Sequence, residues 1–110
     1  MKRALCAIAL LLVACTRTPA APPPPTPDPN FRPESQFVAL GCVTCHAKGA
    51  PYHDKIKQCA GKPVDDVARW IRDARAIKPD TKMPTFSEML TEAQARQMAV
   101  WVQQTVATAE

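Results

Sequence analysis

The chain has few large side chains with which to build a hydrophobic core. Its 110 residues include three phenylalanines, two tryptophans and one tyrosine. A small domain with so little bulky apolar material is close to the lower limit of independent stability and often needs a covalent or metal-based staple. We therefore expect the fold to depend on more than its own side chains.

A strong excess of one charge is also lacking. The sequence has fourteen basic and ten acidic residues, and two of the basic ones, Lys2 and Arg3, lie at the amino terminus. The remaining excess of about two positive charges does not indicate nucleic-acid binding, and no basic helix or aromatic-studded strand suggests it. Period-two alternation of polar and apolar residues is absent as well, so the expected fold class is all-α.

Long hydrophobic runs are missing too, because the apolar run at residues 4–14 is shorter than the roughly 20 residues that a spanning helix needs. With its basic start, the segment 1–14 is typical of a bacterial signal peptide. Leu-Val-Ala directly before Cys15 resembles a lipobox, in which the cysteine receives a lipid. We expect an exported protein on the periplasmic side, anchored to a membrane through Cys15; an ordinary signal peptide is the alternative. Thr16 is not the aspartate that often retains lipoproteins in the inner membrane, which favours the outer membrane.

Proline is abundant only near the amino terminus. Eight of the twelve prolines lie between residues 16 and 33, where almost nothing is apolar. Such a sequence favours extended polyproline II at about 3.1 Å per residue. We expect residues 15–33 to be a semi-rigid tether, with partner recognition by the proline run as the alternative. One small domain, residues 34–110, remains.

Three helices are predicted in this domain. The first runs from Pro33 to Leu40 and is followed by Gly41 as a break. The second runs from Pro63 to about Arg75. The third begins at Thr91, an N-cap whose capping box is completed by Gln94. The apolar stripes of the second and third helices consist of Val64, Val67, Trp70 and Ile71, and of Met98, Trp101, Val102 and Val106. Residues 47–61 and 76–90 are predicted to be loops.

The segment Cys42-Val43-Thr44-Cys45-His46 carries the clearest chemical signal. Two cysteines three positions apart, with a histidine directly after the second, are the pattern of c-type haem attachment. Each thiol adds across one vinyl group, and two intervening residues let both sulfurs reach the same porphyrin. His46 is then the proximal ligand of the iron, through a nitrogen of its neutral imidazole.

A second axial ligand is predicted at Met83, in the sequence Lys82-Met83-Pro84. A thioether is a soft ligand that stabilises Fe(II) relative to Fe(III). Pro84 forces the residue before it towards an extended backbone, which helps a loop to direct its side chain inward. Met89 and Met98 are expected to be packing residues.

These features together resemble a class I mono-haem cytochrome c of the bacterial type. The resemblance implies the small cytochrome c fold, with three main helices and loops wrapped around one covalently attached haem and with the first and last helices crossing near the haem motif. It covers most of residues 34–106, in the family's order and spacing. The matching segments are Cys42-Val43-Thr44-Cys45-His46, Val67-Ala68-Arg69-Trp70-Ile71-Arg72, Lys78-Pro79-Asp80-Thr81-Lys82-Met83-Pro84-Thr85-Phe86 and Ala99-Val100-Trp101-Val102.

The resemblance also implies roles for Pro51 and Trp70. Pro51 resembles the proline whose carbonyl orients the proximal histidine through its other ring nitrogen. The usual run of glycines before that proline is shortened here to Gly49-Ala50. Trp70 resembles a tryptophan near the haem edge whose indole N–H reaches a propionate, with an ordinary core residue as the alternative.

Two residues are left without a role. A lone thiol in an oxidising compartment is either buried and inert or paired between chains, and we expect Cys59 to be buried. His53 is expected at the surface, because a loop histidine so close to His46 would not reach the opposite face of a haem.

The expected function is that of an electron carrier and not of an enzyme, since the sequence has no acid–base pair that suggests catalysis. Its cofactor is one haem c with its iron, and its partners are the membrane and an oxidase, reductase or dehydrogenase. The alternative is a haem subunit of a larger oxidoreductase. A ligand-binding haem sensor needs an open iron position, which Met83 would close. A zinc site would use Cys42, Cys45, His53 and Cys59 and would leave His46 and Met83 unexplained. A thioredoxin-like dithiol needs a βαβ context, which the sequence does not show.

Overall fold

A computed structural model describes residues 20–109. The expected signal peptide and Cys15 lie outside these residues. Residues 20–109 form five helices, α1 (Pro33–Ala39), α2 (Cys42–His46), α3 (His53–Lys57), α4 (Val64–Ile77) and α5 (Glu92–Gln104). No strand occurs between residues 20 and 109, so the prediction of an all-α domain is confirmed. None of the five helices has the length and apolarity needed to cross a membrane.

The break between α1 and α2 is made by a glycine. Pro33 begins α1, with Glu34 in its first turn, as the favourable interaction of an acidic side chain with the helix amino terminus predicts. Gly41 has a φ of 80° and is the N-cap of α2. Only glycine adopts this left-handed conformation without a steric penalty. The predicted break is therefore confirmed. Helix α2 begins directly after it and consists of the motif Cys42–His46.

The region 47–61 is not the continuous loop that the sequence predicts. It contains α3, in which Ile56 is buried. Asp54 lies in the first turn of α3 and Lys55 and Lys57 in the last, which suits the helix dipole. A helix of five residues is not stable by itself, so the packing of Ile56 against the core decides that it forms.

Helix α4 begins one residue after Pro63 and continues to Ile77, slightly beyond the predicted end at Arg75. Its backbone is interrupted at Asp73, which has extended φ and ψ values of −150° and 74°. Residue 73 forms an isolated antiparallel bridge with Thr85. The interruption therefore lets the second loop pair with the helix.

Helix α5 begins as predicted. The Thr91 hydroxyl accepts a hydrogen bond from the Gln94 N–H at 3.1 Å, and the Gln94 side chain accepts one from the Thr91 N–H at 3.1 Å. This is the reciprocal capping box. Its apolar face enters the core, where Met98 and Val102 are 1% and 3% exposed.

The core lies where α1, α4 and α5 meet. Helix α5 packs against α4 and α1, and α1 also contacts α2. At the α1–α5 contact the rings of Phe37 and Trp101 have centroids 5.2 Å apart and are inclined at 57°, a favourable geometry for an aromatic pair. Helix α1 thus contacts both α5 and the helix that begins at Cys42.

The boundary of the domain differs from the prediction. Phe31 is 8% exposed and belongs to the core cluster. The backbone N–H and C=O of Asp28 both bond to the Gln97 side chain, each at 2.9 Å, and the Asp28 carboxylate accepts a bond from Gln94 at 3.0 Å. The packed domain thus begins at about residue 28 and not at residue 34. The single aromatic residue in a proline-rich segment decides this, because it can be buried.

Candidate haem site

Helix α2 presents three of the predicted site residues together. Cys42, Cys45 and His46 are all half-buried, and both cysteines are free thiols. Side chains three or four positions apart are neighbours on a helix. Both Cys45 and His46 therefore lie on the same face of α2 as Cys42.

The environment of Cys42 disfavours its thiolate form. Burial raises the pKa of the Cys42 thiol above its usual value of 9.0, and the neighbouring Cys45 adds to the rise. Redox-active dithiols depend on a lowered thiol pKa, because the thiolate is the nucleophile. The raised pKa of Cys42 is therefore opposite to the lowered thiol pKa of a thioredoxin-like nucleophile.

His46 is held through one of its ring nitrogens. Its Nδ1 lies 3.0 Å from the backbone carbonyl oxygen of Tyr52. A carbonyl oxygen only accepts hydrogen bonds, so Nδ1 donates and the neutral ring has its lone pair at Nε2. This arrangement is common among metal-binding histidines, whose second nitrogen donates to a carbonyl or carboxylate.

The orienting carbonyl corrects the role expected for Pro51. It belongs to the next residue, Tyr52, and Pro51 is exposed. The Tyr52 N–H also donates to the Cys45 carbonyl at 2.8 Å. Tyr52 therefore joins the loop to two consecutive residues of the haem motif. The shortened glycine run before Pro51 is the sequence feature that pointed to an altered loop.

His53 is not simply a surface residue. Its side chain is half-buried, and its Nδ1 lies 3.0 Å from the carbonyl oxygen of His46. This contact is to the backbone of His46 and not to its ring. It ties the start of α3 to the end of α2 and so contributes to the shape of the site.

Met83 is half-buried and packs against the core cluster, as Cys42 also does. Its N–H donates to the Thr81 hydroxyl at 3.3 Å, within the loop between α4 and α5. Met98 is fully buried inside the cluster, as expected, whereas Met89 is 58% exposed and does not have the packing role predicted for it. Of these three methionines, only Met83 is partly buried and packs against the apolar cluster from its edge, as Cys42 does.

Trp70 is half-buried and is not among the side chains that pack against the core cluster. The alternative of an ordinary core tryptophan is therefore not supported. Its apolar helix neighbours differ from it, because Val67 is 2% exposed and Ile71 contacts the cluster.

Cys59 is half-buried and contacts the core cluster, so it is less buried than predicted. Burial raises the pKa of its thiol, although nearby Lys62 opposes the rise. Across residues 20–109, no three His, Cys, Asp or Glu side chains come close enough to share a metal ion. The four residues considered for zinc are thus not gathered into one site there.

The donor set fits a covalently attached haem. Two thiols lie one helical turn apart, an imidazole has its Nε2 lone pair available, and a thioether lies at the edge of the same apolar cluster. Nitrogen and sulfur are the axial donors of His/Met-ligated haem iron. Comparison with protein-family models, with curated proteins and with solved structures gave no match.

Proposed function

We propose that this protein is a lipid-tethered electron-transfer protein with a single c-type haem. Cys42 and Cys45 attach the haem, and His46 and Met83 are the axial ligands of its iron. Together these residues would give the small cytochrome c fold that the sequence resembles. The protein carries electrons and has no catalytic residue of its own.

The observation that carries the proposal is the hydrogen bond between His46 Nδ1 and the Tyr52 carbonyl. It selects the tautomer with a free Nε2, and it restrains the rotation of the ring. A histidine that directly follows a Cys-X-X-Cys pair and is oriented in this way is suited to ligate iron.

When bound, the haem supplies an iron that alternates between Fe(II) and Fe(III). His46 and Met83 would hold the iron in both oxidation states, so little rearrangement would accompany the change of charge. Met83 would raise the reduction potential, because its soft sulfur favours Fe(II). Cys42 and Met83 both pack against the apolar core cluster, which would limit access of water to them.

The proposed location follows from the amino-terminal segment. Residues 1–14 direct export and Cys15 carries the lipid, which places the domain on the periplasmic side, with the outer membrane favoured. The partners are redox proteins of the oxidase, reductase or dehydrogenase class. The same site would also serve as a haem subunit within a larger oxidoreductase.

Covalent attachment is the decisive test. Protein expressed with a periplasmic haem-attachment system should retain haem peroxidase staining after denaturing electrophoresis, and its reduced form should show the α band of a c-type haem. Cys42→Ala combined with Cys45→Ala should abolish the stain, whereas Cys59→Ala, the matched control, should retain it. Colourless wild-type protein with one zinc per chain would contradict the proposal.

A further inference from the structure

The loop that carries Met83 is attached to α4 by a group of contacts immediately after the methionine. Phe86 N–H donates to the Arg72 carbonyl at 2.9 Å, and the Thr85 hydroxyl donates to the Asp73 carboxylate at 3.4 Å. Residues 73 and 85 also form the antiparallel bridge. The chain is thus held two residues beyond Met83.

The Arg72 side chain adds contacts further along the same loop. Its Nε donates to the Leu90 carbonyl at 3.0 Å and its Nη2 to the Ser87 carbonyl at 3.5 Å. The guanidinium also lies 4.0 Å from the carboxylate of Glu92, which is 78% exposed. An ion pair this exposed contributes little, so the two carbonyl contacts are the important ones.

The held part of the loop is also buried. Phe86 and Leu90 are 6% and 2% exposed, so the contacts from Arg72 and Asp73 connect to residues that the core already restrains. Pro84 limits the backbone between Met83 and Thr85. Few conformations of Met83 remain once residues 85 and 86 are fixed.

We propose that Arg72 and Asp73 are positioning residues for Met83. The interruption of α4 at Asp73 exposes backbone and side-chain groups that hold the methionine loop, and Arg72 fixes its far end. Neither residue contacts the haem motif through the bonds described above. This role rests on the proposed function, because it presupposes that Met83 ligates iron.

The test compares local and global stability in the holoprotein. Methionine ligation gives oxidised cytochromes of this family a weak red sulfur-to-iron absorption band, and its thermal loss reports detachment of Met83. Arg72→Ala should lower the midpoint temperature of this band loss more than it lowers the midpoint temperature of helix unfolding, which far-ultraviolet circular dichroism measures. Thr85→Val, which removes only the hydroxyl contact to Asp73, should do so to a smaller extent.

Carbon monoxide provides an independent measurement, because it binds reduced iron only when the methionine is detached. Arg72→Ala should raise the binding rate about tenfold or more, since loss of a charge-assisted hydrogen bond changes an equilibrium by roughly an order of magnitude. Arg72→Lys should restore part of the wild-type rate. Arg69→Ala, at an exposed position of the same helix, is the control and should leave both measurements unchanged.

The two failures are distinguishable. If wild-type holoprotein lacks the red band, Met83 is not a ligand, and both the proposed ligation and the positioning role are wrong. If wild type has the band but the Arg72 and Thr85 variants lose it in parallel with the helices, the ligation stands and the positioning role is overturned.

Discussion

At the residue scale, the sequence predicts correctly which side chains of the site share a helix face, but it predicts the wrong residue for the carbonyl group that orients His46. Cys42, Cys45 and His46 share a helix face as their spacing implies. The carbonyl that orients His46 belongs to Tyr52 and not to Pro51. A shift of one residue in a loop changes which carbonyl points inward, and that depends on where the loop is held at both ends.

If Met83 is the proposed ligand, Met83→Ala should remove the red sulfur–iron band, lower the reduction potential and open the iron to carbon monoxide, because a soft ligand would be lost. Absorption spectra and redox titration of the holoprotein measure these effects. Met89→Ala, at an exposed position, should change none of them.

Met98→Ala should separate packing from ligation. It should keep the red band but lower the free energy of unfolding by about 2–5 kcal/mol, since Met98 is fully buried and its truncation leaves a cavity. A red band that survives in Met83→Ala but disappears in Met89→Ala or Met98→Ala would reassign the ligand.

Gly41→Ala should destabilise the domain by about 1–2 kcal/mol, because an alanine in the left-handed region brings its Cβ close to the following carbonyl oxygen. Apart from Gly41 and its two chain neighbours, no residue has an atom within 4 Å of a Cβ at this position, so the cost comes from the local backbone conformation and not from packing against the rest of the domain. Chemical denaturation of holoprotein measures it. Gly61→Ala, where the backbone is not left-handed, should be close to neutral, and equal losses in both variants would refute the explanation.

At the scale of elements, short segments depend on their contacts. The capping box lets α5 begin at its predicted residue, because Thr91 and Gln94 are three positions apart and satisfy each other. Helix α3 and the docked segment around Asp28 were not predicted, since each is held by residues distant in sequence. The interruption of α4 at Asp73 was not predicted either, because the residue that pairs with it, Thr85, lies in another segment.

The Asp28 segment should respond to pH. Hydrogen bonds from the Asn30 backbone N–H and the Gln94 side chain lower the pKa of Asp28 below its usual value of 3.8. A lowered pKa in the folded state means that this stabilisation is complete above the unfolded pKa and is lost as the pH falls through the folded one.

Asp28→Asn should therefore unfold at a lower temperature than wild type at neutral pH, and the difference should shrink as the pH falls below about 4. Thermal unfolding across this pH range measures it. Asp80→Asn, at an exposed position, is the control. A difference that does not depend on pH would show that the carboxylate charge is not what matters.

At the scale of the whole molecule, docking of residues 28–31 shortens the tether that the sequence predicts. Residues 20–27, the described part of the predicted tether, would reach about 25 Å as extended polyproline II. Its docked end lies against α5, where Gln94 and Gln97 hold Asp28. The predicted tether would therefore join the domain at a defined place on its surface, beside α5.

Cys15→Ala should release the protein into the soluble periplasmic fraction with its haem intact, because the anchor and the haem motif are separate segments. Fractionation followed by haem staining measures this. Cys6→Ala, within the segment expected to be removed, should remain with the membrane. Retention of the Cys15→Ala protein after a salt wash would show that another feature holds it there.

The sequence by itself determined the features that depend on neighbours along the chain. The all-α class, the break at Gly41, the start of α5 at Thr91 and the common face of Cys42, Cys45 and His46 follow from local backbone preference, capping and helical periodicity. The tertiary structure decided the features whose partners are remote. Burial of Phe31, the formation of α3, the Tyr52 carbonyl at His46 and the attachment of the methionine loop to Arg72 and Asp73 all require contacts between segments. Their free energy comes from packing and hydrogen bonding that exist only after the chain has folded.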